Sequence, residues 1–281
     1  MKTWFITGAS RGFGARIAQL ALAQGDNVVA TARNPQTVVE RLGAHPRLLA
    51  LPLDVTDEAQ AVAAAARAVE RFGRIDVLLN NAGYGLLGAV EEASGAEVEA
   101  LYRTNVFGLL AVTRAVLPQM RARRSGRILN ISSIGGYRAG AGFGVYCSTK
   151  FAVEGLSEAL HAELAPLGIH VTVVEPGYFR TDFLDATSLS IAGRAIADYN
   201  ATSGNVRNVA SGLNHQQPGD PERLARLLVA FAEEPNPPVR LPLGSDTVAA
   251  IRKKHASDAA ILASWHEVAS STDFAAAPLS A

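Results

Sequence analysis

The chain has 281 residues, a hydrophobic share of 48% and equal numbers of Lys+Arg and Asp+Glu, 26 of each. That length can bury one large core in a single domain spanning 1–281, and a formal charge of zero gives no global signal for nucleic acid or an acidic membrane surface. The single cysteine, Cys147, excludes an intramolecular disulfide and fits a reducing cytoplasm. The apolar runs are too short for a signal peptide or a membrane span, and the six histidines lack metal-ligand spacing, so no metal site is expected.

In chain order, residues 4–7 read as a short buried strand and 8–14 as a glycine-rich turn, after which Ile17, Leu20, Ala21 and Ala23 recur at helical spacing. Apolar, β-branched runs at 27–32 and 48–53 give the second and third strands, followed by a helix over 57–72 and a fourth strand at 75–80. Ser94-x-x-Glu97 is a capping box that opens one long helix toward residue 120. Residues 127–132 form a fifth strand, 146–164 a helix, and 169–175 a sixth strand. A seventh, at 237–241, contains prolines and belongs at a sheet edge. Strands alternating with helices, without polar/apolar alternation along the strands, predict an α/β fold: a doubly wound parallel sheet with helices on both faces. In such sheets the ligand crevice lies at the carboxyl ends of the strands, and Gly8, Arg33, Asp54, Asn81, Ser133 and Pro176 all follow predicted strands. Residues 183–220 are rich in Ser, Asn, Gly and Ala, with a helical candidate at 194–199, and read as a lid over the site. The tail, 270–281, is small and polar and is expected to be loosely ordered.

The chemistry-bearing residues lie at these strand ends. Thr7-Gly8-Ala9-Ser10-Arg11-Gly12-Phe13-Gly14 joins a strand to a helix; its glycines permit a tight turn and close approach of a pyrophosphate, whose charge the helix N-terminus favours. The second strand ends in Ala32-Arg33-Asn34 with no carboxylate for the ribose hydroxyls. Arg33, helped by Arg11, is suited to a 2′-phosphate, which favours NADP(H) over the alternative, NAD(H). Tyr146 and Lys150 lie one helical turn apart on the same face. A phenol titrates near pH ~10, and an adjacent ammonium is expected to lower that value and ready the tyrosine for proton transfer. Ser133, thirteen positions before Tyr146, adds a hydroxyl able to hold a carbonyl oxygen.

With these motifs in order, the sequence resembles the short-chain dehydrogenase/reductase family, in its compact single-domain branch, from about residue 2 to 181. The resemblance rests on the glycine turn, Asp54-Val55, Asn80-Asn81-Ala82-Gly83, Asn105, Ser133, Tyr146-x-x-x-Lys150 and Pro176-Gly177-x-x-x-Thr181. It implies a Rossmann-type sheet of about seven strands and a catalytic tetrad of Asn105, Ser133, Tyr146 and Lys150. It also implies a cofactor site made of Gly8, Ser10, Arg11, Gly12, Phe13, Gly14, Arg33, Asp54, Val55, Asn81, Ala82, Gly83, Tyr146, Lys150, Pro176, Gly177 and Thr181. Asp54 and Val55 would meet the adenine. Asn105 would sit in a distorted helix and hold a water of the proton relay. Pro176, Gly177 and Thr181 would close over the nicotinamide. Ser132 reads as a strand-end hydroxyl.

The implied reaction is hydride transfer between the nicotinamide and a carbonyl carbon, with Tyr146 as acid/base, Ser133 on the carbonyl oxygen and Lys150 tuning the phenol. A lyase or epimerase on the same fold, or a regulator that senses the nucleotide without consuming it, is the alternative. The expected pocket walls, residues 85–87, 134–143, 178–179 and the lid after Phe183, suggest a small, mostly apolar ketone, aldehyde or alcohol as substrate. In this family the long helices, here around 96–120 and 151–164, often pair between subunits, so the resemblance also implies a homodimer or homotetramer.

Overall fold

The computed structural model describes residues 1–274. Among these, nine strands occur in chain order: β1 (Thr3–Ile6), β2 (Asn27–Ala32), β3 (Leu48–Pro52), β4 (Val77–Asn80), β5 (Gly85–Leu87), β6 (Gly126–Ile131), β7 (Ile169–Pro176), β8 (Leu189–Ile191) and β9 (Arg240–Leu243). Seven of them form one sheet in the order β3-β2-β1-β4-β6-β7-β9, every pair parallel. The order reverses between β1 and β4, so a crevice opens outside their carboxyl ends. The register brings those ends level: Ile6 faces Ala30 and Leu79, and Asn80 faces Asn130.

Among the described residues, nine α-helices cover the sheet and extend beyond it: α1 (Gly12–Ala23), α2 (Gln36–Leu42), α3 (Glu58–Phe72), α4 (Gly95–Tyr102), α5 (Leu109–Arg123), α6 (Gly144–Leu164), α7 (Asn205–Leu213), α8 (Pro221–Phe231) and α9 (Ser245–Ser270). Strand residues alternate between two cores. Trp4 and Ile6 pack with Ile17 and Ala18 of α1 and Leu224 and Leu228 of α8 on one face. Phe5 and Leu78 pack with Ala64 and Ala68 of α3 and Val112, Val116 and Met120 of α5 on the other. With both faces covered, apolar runs rather than alternating ones are what these strands require.

Three departures from the sequence reading have local causes. The helix predicted from 95 to 120 is two helices joined by a π-turn, Arg103–Gly108, centred near Asn105; the capping box at its start is present, with both Ser94 and Glu97 bonded. The edge strand begins at Arg240 rather than 237, because the backbone ladder with β7 starts at Val173↔Arg240. Pro242 is accommodated because β9 is an edge strand with one side unpaired. The lid contains a strand that was not predicted, β8, which pairs parallel with β5 in a separate two-stranded sheet; the helical candidate at 194–199 is a 3₁₀ turn, Ala197–Tyr199, which continues through a π-turn, Asn200–Gly204, into a longer helix from Asn205. Of the expected loose tail, residues 275–281 lie outside the described residues.

Candidate active site

The glycine turn is built around Asn81. Its side-chain amide donates to the carbonyls of Thr7 (2.9 Å) and Gly8 (3.0 Å), while the Thr7 hydroxyl accepts from the backbone of Asn81 and Ala82 at 2.9 and 3.0 Å. β1 and β4 are thereby locked together where they diverge. Gly8 and Gly12 take left-handed φ values of +64° and +56°, a conformation that carries a steric penalty for residues with a Cβ. Gly14 has an ordinary φ but no room: a Cβ there would lie 2.6 Å from the Gly8 carbonyl oxygen and 2.7 Å from the Asn81 amide nitrogen. No side chain caps α1, so its first N–H groups remain available.

A cavity of about 1170 Å³ runs from this turn across the strand ends and under the lid. Gly8, Ser10, Arg11, Gly12, Phe13, Arg33, Asp54, Val55, Asn81, Ala82, Gly83, Ser133, Tyr146, Lys150, Pro176, Gly177 and Thr181 all line it. Two predicted residues do not. Gly14 lies behind the turn, where its lack of a side chain makes space. Asn105 is buried below the floor, where its amide donates to the Tyr84 carbonyl (2.9 Å) and Thr149 Oγ1 (3.1 Å) and its oxygen accepts from the Tyr84 N–H (3.1 Å). The π-turn sets Asn105 at this angle, and a side chain on Gly83 would crowd its Oδ1, 3.1 Å from the Cβ position.

At the adenosine end, the Asp54 carboxylate accepts from the Thr56 N–H (2.9 Å) and hydroxyl (2.7 Å), which fixes the turn after β3. Arg33 is exposed at the end of β2. Arg11 lines the cavity, and its guanidinium also donates to the Thr187 carbonyl, which ties the glycine turn to the lid.

At the reaction end, Tyr146 is buried between Phe143 and Phe183, with ring centroids 6.0 and 5.6 Å away. Ser133 caps a short 3₁₀ turn by accepting from the Gly135 N–H (3.0 Å). Lys150 is buried, donates to the Ile131 carbonyl at 2.9 Å, and stands 5.8 Å from the Tyr146 ring centre. The lowering of the phenol pKa expected from the ammonium is outweighed in this environment. Burial dominates and holds Tyr146 above its ordinary value, with the Ser133 hydroxyl pulling the other way. Burial also pushes Lys150 down to about 8, against the pull of Glu154. The phenol therefore keeps its proton at neutral pH.

The lid is fastened at several points. Glu92, with a buried side chain, accepts from the N–H groups of Ile196 (2.9 Å) and Ala89 (2.7 Å) and pairs with Arg207; these bonds depress it to about 2. Phe183 and Leu184 line the cavity with Val206 and Val209, whereas Leu86 and Leu87, expected in the wall, are buried behind it. Thr181 accepts from the Phe183 N–H (3.3 Å), and Asp246 of α9 accepts from the Tyr178 N–H (2.8 Å) where any side chain on Gly177 would strike it. Asp246 was not foreseen, nor was Gln217, a cavity-lining residue 1% exposed whose amide has no protein partner. No local pattern marks either residue, because each reaches the site through a distant element. Among the described residues, no cluster of three or more His, Cys, Asp or Glu is placed to hold a metal, and no helix is long and apolar enough to cross a membrane.

A parallel doubly wound sheet with a glycine turn at its switch point and a Tyr-x-x-x-Lys helix beside it defines a nucleotide-dependent oxidoreductase. Comparison with known proteins agrees: the family model for short chain dehydrogenases matches residues 2–191, and the chain belongs to the short-chain dehydrogenase/reductase family, as an oxidoreductase of the class acting on CH–OH groups with NAD(P). It is 39% identical over 240 residues to a 3-ketodihydrosphingosine reductase of Bacteroides thetaiotaomicron, covering 85% of this chain and 86% of that one. A crystal structure of a short-chain dehydrogenase from Streptomyces avermitilis superposes with a TM-score of 0.90 at 41% identity, covering 97% of this chain and 100% of the other. ElxO with NADP bound superposes at 0.73 with 28% identity, covering 88% and 99%.

Proposed function

We propose that the protein is an NADP(H)-dependent carbonyl reductase that interconverts a mostly apolar ketone or aldehyde and its alcohol, with Tyr146 as the proton donor and acceptor. The observation that carries this reading is the convergence of the buried Tyr146 phenol, the Ser133 hydroxyl and the buried Lys150 ammonium at one end of the cavity, opposite the glycine turn.

The residues present fit a dinucleotide. The uncapped α1 N-terminus and the glycine turn, Gly8 to Gly14, suit a pyrophosphate, and Gly14 leaves the space in which Asn81 shapes that turn. Arg33, with no carboxylate at the end of β2, would hold a 2′-phosphate, and the NADP-bound ElxO supports the same preference. Asp54 and Val55 would bracket the adenine. Asn81, Ala82 and Gly83 would line the middle of the cofactor, Lys150 and Tyr146 its second ribose, and Pro176, Gly177 and Thr181 the nicotinamide side. When bound, the nicotinamide supplies or takes up the hydride.

Ser133 would orient the carbonyl oxygen. Tyr146, protonated at neutral pH, would give its proton to that oxygen during reduction, and the positive charge of Lys150 would stabilise the phenolate left behind. Asn105 would hold the relay that reprotonates the pair. The apolar wall of Phe143, Phe183, Leu184, Val206 and Val209 supports an apolar substrate, as does the kinship with a reductase named for a keto substrate. A cytoplasmic location and a homodimeric or homotetrameric state complete the reading.

The test is NADPH oxidation, followed by absorbance, against a panel of apolar ketones and aldehydes. Tyr146→Phe is expected to lose roughly 10²–10⁴-fold in turnover while binding NADPH with near-normal affinity. Near-normal turnover by that variant overturns the assignment, and cofactor binding without consumption by any substrate would instead favour a nucleotide sensor.

A further inference from the structure

Behind the reaction centre, one turn beyond Lys150 on the same face of α6, lies an acidic cluster that the catalytic reading leaves unused. Glu154 follows Lys150 by one helical turn and is 3% exposed; Glu175, near the end of β7, is fully buried. Arg240 on β9 reaches both, its Nη1 donating to Glu154 Oε2 at 2.5 Å and Glu175 Oε1 at 2.8 Å, while its Nε and Nη2 go to Glu158 Oε1 at 3.0 and 2.8 Å. Glu154 Oε1, Glu175 Oε2 and the hydroxyl of the buried Ser132 make no hydrogen bond of good geometry. All three belong to one spot. A Cβ on Gly136 would fall 2.5 Å from Ser132 Oγ and 2.8 Å from Glu154 Oε1, so a glycine keeps the place open.

Even with the Ser132 hydroxyl turned to donate to Glu154, two buried carboxylates that share one guanidinium nitrogen leave an excess negative charge and Glu175 Oε2 facing no donor, an arrangement that costs several kcal/mol. One added proton resolves it, because a carboxylic acid donates where a carboxylate only accepts. We propose that Glu154 and Glu175 share a proton at neutral pH, and that the release of this proton as pH rises holds the positive charge on Lys150, making Glu154 a positioning residue for the catalytic lysine.

The groups facing the pair support this. From α6 they are Lys150 and Glu158, from β9 Arg240, and from the turn after β6 Ser132 and Tyr137, whose ring lies 5.3 Å from the Arg240 guanidinium carbon. From α9, His255 bonds the Tyr137 hydroxyl and is one ring further removed. Burial and the neighbouring Glu175 raise Glu154 to about 7, with the Ser132 hydroxyl and Arg240 pulling it down. Glu154 in turn pulls Lys150 up from where burial alone would leave it, so that it titrates at about 8. As pH passes 7 the pair gains its second negative charge, just below the range in which Lys150 would otherwise discharge. Because the Glu154 carboxyl binds its proton more tightly folded than unfolded, its contribution to stability is full below about 4.5 and is lost as pH rises through about 7.

The consequence for catalysis rests on the role given to Lys150 above; the shared proton does not. Infrared spectra of the full-length protein in heavy water, taken from acid to alkaline pH, read the proton directly. A protonated-carboxyl band is expected to persist above pH 5, where ordinary carboxylates have lost theirs, to disappear near pH 7, and to be missing from Glu154→Gln. Absence of that band in the wild type overturns the proposal whether or not any variant folds. In the pH profile of kcat/KM for carbonyl reduction, Glu154→Gln, which cannot gain the second charge, is expected to lose activity about one pH unit earlier on the alkaline side. Its ratio of activity at pH 9 to pH 7 would then fall by up to roughly tenfold relative to wild type. A uniform loss at every pH, with the alkaline limb unmoved, would mark Glu154 as merely structural and overturn the coupling. If no carbonyl is reduced at all, the reading of the function fails, and the infrared experiment still decides the proton.

Discussion

Gly14→Ala tests how the glycine turn is held. In a helix interior the exchange should help, since alanine is favoured over glycine by about 1 kcal/mol, and Gly14 has no left-handed φ to preserve. The local space says otherwise. The new methyl would lie 2.6 Å from the Gly8 carbonyl oxygen, 2.7 Å from the Asn81 amide and 3.1 Å from the Ala9 Cα. Relief requires moving the Asn81 side chain away from the two carbonyls it bonds. Overpacking costs about 1–3 kcal/mol, and two weakened hydrogen bonds about 1 kcal/mol each. Set against the helix gain, the net loss of stability is about 2–4 kcal/mol. The dinucleotide feels the displacement as well, and its Kd, read by fluorescence titration, should rise at least about tenfold, or 1.4 kcal/mol. Gly12→Ala is the control: nothing lies within 4 Å of its Cβ position, and only its φ of +56° opposes the change, at about 1–2 kcal/mol. In a double-mutant cycle with Asn81→Ala, the Gly14→Ala penalty should shrink by about 1 kcal/mol, since half of the collision has been removed. Wild-type affinity in Gly14→Ala, or strict additivity with Asn81→Ala, would refute this account.

Two further outcomes are expected. Arg33→Ser should raise the KM for NADPH by roughly ten- to a hundredfold and leave that for NADH nearly unchanged; an equal change in both would remove Arg33 from the 2′-phosphate site. Because Glu92 is held at about 2, its ion pair with Arg207 is fully present above the ordinary carboxylate value and is lost only as pH falls toward 2. The substrate KM should therefore not respond to lid loosening between pH 5 and 7, whereas Glu92→Gln should raise it severalfold with NADPH affinity preserved; a matching loss of NADPH affinity would show that the contact serves the whole fold.

The sheet was legible because its strands are buried on both faces, so runs such as Asn27 to Ala32 and Ile169 to Glu175 carry their own signal. The glycine turn and Tyr146–Lys150 were legible because their chemistry needs fixed local spacing. What stayed hidden depends on partners far along the chain. Leu189-Ser190-Ile191 is a strand only because Gly85-Leu86-Leu87 lies beside it. The bond from Arg11 to the lid's Thr187 carbonyl joins residues 176 positions apart. The lowering of the Tyr146 pKa expected from Lys150 is masked for a different reason: sequence spacing reports proximity, while burial, which here outweighs it, belongs to the assembled fold. Glu154 was a signal in hand, since it repeats the four-residue spacing that pairs Tyr146 with Lys150, but its meaning needed Glu175 and Arg240.

The π-turn at Arg103–Gly108 works as a phase shifter. An α-helix advances 100° per residue, and one extra residue in the coil lets the segments on either side obey different angular conventions. Upstream, Leu101 points into the cluster around Tyr146; downstream, Val112, Val116 and Met120 point into the core beneath the sheet. A regular helix through the same stretch could align one of these faces and would rotate the other by more than a quarter turn. The irregularity thus keeps the wall of the reaction centre and the support of the sheet in register with each other, with Asn105 stationed at the joint.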